Sequence, residues 1–148
     1  MDNELNETLL YQLKDDLTEL FNSSIDYQDV DVKTGYEDFT EIKYPCVIIY
    51  ELENSPDDRY YDMQEHVNNV AYQFTVMSEG IYGEDAVKRV MLIMDYITKY
   101  MRGRRYSSLK KINSTGVLPH QNDTNIKVGY MRYEGCINID TNTIYRRK

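Results

Sequence analysis

The densest cluster of chemistry-bearing side chains is basic. Arg102, Arg104, Arg105, Lys110 and Lys111 lie between positions 102 and 111, with Tyr106 inside the run. Guanidinium and ammonium groups at that density could hold phosphate oxygens, as nucleic-acid contacts do. They could equally meet an acidic protein surface. The tail Arg146-Arg147-Lys148 admits the same two readings. A net charge of −8 and the lack of a recognition motif beside the run oppose free nucleic-acid binding. The acidic counterpart is Asp26, Asp29, Asp31, Glu37 and Asp38, with Glu41 beyond them. Such carboxylates could ligate a cation. However, their spacing matches no EF-hand loop, and the glycine required at its sixth position is missing. A solvated acidic face is the plainer reading.

Other chemistry is sparse. The two histidines, His66 and His120, have no His or Cys partner at metal-ligand spacing, so neither zinc nor any other metal is expected. Gly80 and Gly83 lack the lysine and the long loop of a phosphate-binding P-loop. No Gly-X-Ser-X-Gly elbow occurs. Asp15-Asp16 falls on a polar helix face and Asp57-Asp58 in a turn, where structural roles are expected. Cys46 and Cys136 are too few for a disulfide framework, and their strand-like contexts predict buried free thiols in a reducing compartment. No cofactor and no catalytic residue is assigned. The chain has no basic-then-apolar leader and no apolar run of membrane-spanning length, so it reads as soluble and intracellular when made.

The elements that must position these residues follow from hydrophobic period. At 148 residues a single domain, 1–148, is expected. Leu5, Leu9, Leu10, Leu13, Leu17, Leu20 and Phe21 recur at three- and four-residue steps, which predicts a helix over 3–21 capped by Asp2 or Asn3. Glu4 and Glu7 suit its positive end. Positions 24–43 are weakly patterned, with short strand pieces. Cys46 to Glu53 predicts a central strand, apolar on both faces, ended by a turn at Asn54-Ser-Pro-Asp-Asp58. Arg59 to Glu65 reads as a returning strand. Val67 to Ser78 alternates cleanly, with Val70, Tyr72, Phe74 and Val76 on one face. Its other face, with Gln73 and Thr75, is polar enough for a lumen or a neighbouring subunit.

A second helix is predicted over 84–102 from Val87, Val90, Met91, Met94, Ile97, Tyr100 and Met101, with Gly103 as a left-handed terminator. Residues 103–125 read as loop. Alternation returns from Asn125 to Ile139, and a last short strand is expected at 144–147. The order predicts an α+β fold: a twisted, mostly antiparallel sheet packed by two main amphipathic helices. Charge is uneven along this chain. Residues 1–70 carry 18 acidic and 4 basic side chains; residues 71–148 carry 7 and 13. Either the folded chain has an acidic and a basic face, or folding mixes the two halves. The fifteen tyrosines, against three Phe and no Trp, suit half-buried sheet faces and interfaces.

Together these pieces resemble one family. They are the N-terminal amphipathic helix, Tyr-Pro-Cys-Val-Ile-Ile-Tyr-Glu at 44–51, Val-Ala-Tyr-Gln-Phe-Thr-Val at 70–76, and the helix at 84–102. Tyr-Met-Arg-Tyr-Glu-Gly-Cys at 130–136 and the closing strand complete the set. In order and length the chain is similar to the tail terminator, or tail completion, proteins of tailed bacteriophages. The resemblance lies in pattern and covers most of the chain. Other head–tail connectors and minor capsid proteins share it at this level. It implies a ring, usually a homohexamer, that caps the tail tube and joins it to the head connector or head-closure protein. The tube protein is the implied partner, with the sheath as a further one. DNA would pass through the lumen without specific binding. The implied location is the head-proximal end of the tail in the virion, after synthesis in the bacterial cytoplasm. On that reading Asp26, Asp29, Asp31, Glu37 and Asp38 are candidate lumen lining. Arg102, Arg104, Arg105, Lys110, Lys111, Arg146 and Arg147 are candidate subunit contacts. The rival reading is a small nucleic-acid-binding protein of a mobile element, with the 102–111 loop on phosphate.

Overall fold

The sheet is built outward from the strand with the cleanest alternation. The computed structural model describes residues 8–37, 42–57, 66–80, 83–103, 105–120, 125–140 and 143–144. Strand β3 (Val67–Glu79) pairs antiparallel with β2 (Cys46–Pro56) on one side and β6 (Ile126–Asn138) on the other. Strand β1 (Asp31–Thr34) joins β2 in parallel. Three short strands follow one another along the outer edge of β6: β5 (Leu118–Pro119), β4 (Lys110–Ser114) and β7 (Thr143–Ile144). The order β1-β2-β3-β6-β4, with a single parallel pair, makes a mostly antiparallel sheet among the described residues. With two helices this is the expected α+β fold.

Both helices cover one face. Helix α1 (Leu9–Asn22) lies over β1 and β2, and α2 (Gly83–Met101) lies over β3 and β6. Leu9, Leu10, Leu13, Leu17 and Phe21 of α1 enter one core with Val90, Ile93, Met94, Ile97 and Met101 of α2. The sheet contributes Val47, Ile49, Val70, Tyr72, Phe74, Val76, Met131 and Tyr133. Phe74 meets Tyr133 edge to face, 5.5 Å between ring centres, a favoured aromatic geometry. Helix α2 seats closely because Gly129 has no side chain: a Cβ there would lie 3.1 Å from Val90 Cγ1 and closer still to Met94 Sδ.

The opposite face has its own apolar cluster. Cys46, Ile48, Met77, Ile126 and Val128 are buried there, with Ile42, Tyr44 and Tyr50 packed against them. No helical residue joins that cluster among the described residues. Thr75 is only 6 % exposed on this face. The expectation of a freely presented polar face is therefore corrected at Thr75, which accepts from Gln73 Nε2 at 3.1 Å.

Several boundaries move. Helix α1 starts at Leu9, with Thr8 extended at φ −59° and ψ 155°, so the expected start at Asn3 is too early by six residues. The proposed caps Asp2 and Asn3, with Glu4 and Glu7, lie outside the described residues. Strand β2 runs on through Pro56, because Asn54, Ser55 and Pro56 pair with Val70, Asn69 and Asn68. Turn-forming types were overridden there by a ready β3 partner. The return strand at 59–65 lies outside the described residues. In α2 the buried stripe is Ala86, Val90, Ile93, Met94, Ile97 and Met101, while Met91 is 57 % exposed. Gly103 is not left-handed, since no described glycine has positive φ. Its N–H instead donates to Tyr100 O at 3.0 Å, a tighter final turn. The loop read over 103–125 contains β4 and β5.

Candidate functional site

The C-terminal half of α2 and the edge strand β4 bring three cations together. Thr98 stands in the last turn of α2 and Arg102 just past its end, and β4 delivers Lys110 and Lys111 beside them. Lys111 Nζ donates to Thr98 Oγ1 at 3.1 Å, and that hydroxyl donates to Met94 O at 2.9 Å. Lys110 Nζ donates to Ser107 O at 3.2 Å. Two adjoining clefts of 370 Å³ and 170 Å³ share Thr98, Arg102 and Lys111 in their walls. The Tyr133 phenol borders the smaller one. Burial raises its pKa, against the Thr98 hydrogen bond and the Arg102 charge. None of Arg102, Lys110 and Lys111 forms an ion pair with a carboxylate among the described residues, whereas Lys14, Lys33, Lys88, Arg89, Lys99, Arg105 and Arg132 each do.

Arg105 leaves this group. Its guanidinium reaches α1, 2.9 Å from Asp16 and 3.0 Å from Gln12 Oε1, and lies 5.5 Å over the Tyr106 ring. Tyr106 donates its hydroxyl to the same Asp16 carboxylate. The Asp16 side chain is 16 % exposed, so the phenol bond contributes about 1.5–3 kcal/mol, as bonds to charged groups do. Arg104, Arg146 and Arg147 lie outside the described residues.

The acidic residues are largely spent within the chain. Asp29 pairs with Arg89 at 2.5 Å, Asp31 with Lys33 at 3.8 Å and Glu37 with Lys14 at 2.6 Å. Glu37 also accepts from the Thr34 N–H at 2.6 Å. Burial raises the Glu37 carboxyl, but Lys14 and the Thr34 amide outweigh it and hold its pKa below the usual carboxylate value. Asp26 is exposed, and Asp38 lies outside the described residues. Asp16–Arg105 and Asp29–Arg89 join the acidic first half to the basic second half, so folding mixes the two at these contacts.

The open sheet face carries the larger feature. A groove of 420 Å³ is lined by Ile48, Tyr50, Leu52, Gln73, Thr75, Met77, Val128 and Tyr130, with Ile42, Tyr44 and His120 at its sides. Leu52 is 46 % and Tyr130 36 % exposed. The sequence held its signal in the doubly apolar strand 46–52, in Met77 and in the alternation that sets Ile126, Val128 and Tyr130 on one side, but nothing local pointed to His120. Beneath the groove, burial pushes the Cys46 thiol up to about 12, Asp31 adding to it and Lys33 opposing. Cys46 pairs across β3 with Met77, and Cys136 with Asn69. Eight residues at about 3.3 Å each separate those partners by ~26 Å, so the two thiols do not touch.

Among the described residues no group of three or more His, Cys, Asp and Glu is placed to hold a metal ion. No described helix is long and apolar enough to cross a membrane. His66 Nδ1 lies 3.0 Å from Asp140 in an exposed pair. No protein-family model matches this chain, and no curated protein matches it.

Proposed function

We propose that the chain is a structural assembly subunit, a ring-forming tail terminator that caps a phage or phage-like tail tube and meets the head connector. The observation that carries the reading is the open sheet face. Its groove is apolar and rimmed by Tyr44, Tyr50 and Tyr130. Its described lining holds one histidine and no carboxylate, thiol or amine. Tyrosine and methionine around a shallow apolar groove suit contact with protein. The tailed-phage resemblance of element order and length supports the same role.

Native mass spectrometry of the full chain tests it, alone over a concentration series and then mixed with the tail-tube protein of the same particle. Discrete ring-sized species are expected, six copies being the usual number for such proteins. A monomer under both conditions overturns the reading.

The cleft around Thr98 favours a second reading, phosphate binding by Arg102, Lys110 and Lys111. Their charges lack carboxylate partners among the described residues, and the clefts between them are open. A DNA mobility shift that weakens with salt and disappears in Arg102→Ala with Lys111→Ala is its expected mark. Binding unchanged by those substitutions removes it.

A further inference from the structure

The two edges of the sheet are complementary, and the register aligns them. Beyond Ile49, β2 has no strand on its outer side among the described residues, and β4 has none on its outer side. Two transverse rows cross the sheet between these edges. In one, Glu53 pairs with Ala71, Ala71 with Glu134, and Glu134 with Lys110. In the next, Glu51 pairs with Tyr72, Tyr72 with Tyr133, and Tyr133 with Lys111. Both rows begin in a carboxylate and end in an ammonium. None of the four charged residues is ion-paired with an opposite charge among the described residues. Each edge also carries a bulge, at Leu52 and at Ile112, whose side chains are 46 % and 53 % exposed.

Bulges and charges on an edge normally guard against edge-to-edge association. That guard holds between edges of like sign. Here β4 repels another β4 and β2 repels another β2, while β4 attracts β2. Strand direction agrees. Three successive antiparallel pairings, β2–β3, β3–β6 and β6–β4, leave β4 antiparallel to β2. A second copy set beside the first in the same orientation therefore presents its β2 antiparallel to β4. Glu53 then falls opposite Lys110, and Glu51 opposite Lys111.

We propose that copies of this chain join head to tail, the β4 edge of one on the β2 edge of the next, with the sheet running on between them. The contact is heterologous, so it closes into a ring or continues as a filament according to the rotation per step. This rests on the ring reading and names its interface.

Two arms test it in the full-length chain. In the first, Lys110→Glu and Glu53→Lys are made singly and together. Each single reversal is expected to weaken self-association at least about tenfold, and the double reversal to restore it. In the second, Glu53→Cys and Lys110→Cys variants are mixed and oxidised. The two positions lie three strand spacings apart within one chain, ~14 Å, beyond the reach of a disulfide. A mapped 53–110 disulfide is therefore intermolecular. The mixture is expected to form it, and neither variant alone to cross-link comparably through its new cysteine. Single reversals that leave association unchanged, or a mixture that gives no 53–110 link while rings persist, overturn the edge contact and leave the ring reading standing. A wild-type chain that stays monomeric with the tube protein fails the ring reading instead, and this contact with it.

Discussion

Raising the pH from 8 to 11 should destabilise this protein through its buried tyrosines. Tyr72 is 0 % and Tyr106 1 % exposed. Burial is the main cause that lifts both phenols well above their ordinary value near 10, and the carboxylates of Glu51 and Asp16 add to it. Each hydroxyl donates to that carboxylate, Tyr72 to Glu51 at 3.1 Å. Folding therefore holds both groups neutral, while the unfolded chain lets them ionise. Their contribution is fully present below pH 10 and is lost as pH rises above it. At pH 11 an unfolded tyrosine is ionised about ten to one, which favours unfolding by about 1.4 kcal/mol per phenol. The pair amounts to about 2.8 kcal/mol, a large share of a typical stability of about 5–15 kcal/mol. Tyr50, Tyr100 and Tyr133 are raised in the same direction, again first by burial. Urea unfolding at pH 8 and pH 11 measures the loss, and Tyr72→Phe and Tyr106→Phe isolate each share. Either variant is less stable at pH 8, by about 1.5–3 kcal/mol for the lost bond to a carboxylate. Each should then lose about 1.4 kcal/mol less than wild type between the two pH values. Losses equal to wild type in both variants would refute the reasoning.

Three further outcomes are expected. Phe74→Ala empties a fully buried site beside Tyr133. It should cost about 3–5 kcal/mol and lower Tm by about 10 °C in a thermal melt; a shift within ~2 °C would mean that the core is looser than drawn. Gly129→Val drives new methyls into Met94 and Val90 and should cost about 1–3 kcal/mol. Met94→Ala in the same chain should relieve part of that cost in a double-mutant cycle, and strict additivity would contradict the packing. At pH 8 a thiol reagent should modify Cys136 first and Cys46 only on unfolding, because Cys46 is buried with its pKa pushed up to about 12. Equal native rates would show that the groove admits the reagent to its floor.

Much of the framework was readable from residue order. The period-two pattern of Val70, Tyr72, Phe74 and Val76 and the helical stripes of Leu9–Phe21 and Val90–Met101 are local signals. They name elements and buried faces because burial itself imposes the period. The faces of β2 followed from the same logic. The helix end at Gly103 did not, since a glycine permits a left-handed turn without requiring one.

What tertiary structure decided was everything set by a distant partner. Strands β4 and β5 are exposed along their whole length and carry no alternation. They are strands because β6 offers unpaired backbone groups, and that offer is not written in residues 110–119. Asp16 read as a structural residue on a polar helix face and Asp29 as solvated acid; folding set Arg105 and Arg89 beside them. The segments 46–56 and 110–114 gave no sign of being matched edges. Their rows meet only because two bulges and three registers place Glu51 and Glu53 in line with Lys111 and Lys110. The sequence by itself determined which faces turn inward, because the hydrophobic effect acts residue by residue along a helix or strand. The tertiary structure determined which charges find partners and which edges stay open, because pairing depends on distances that only the folded chain creates.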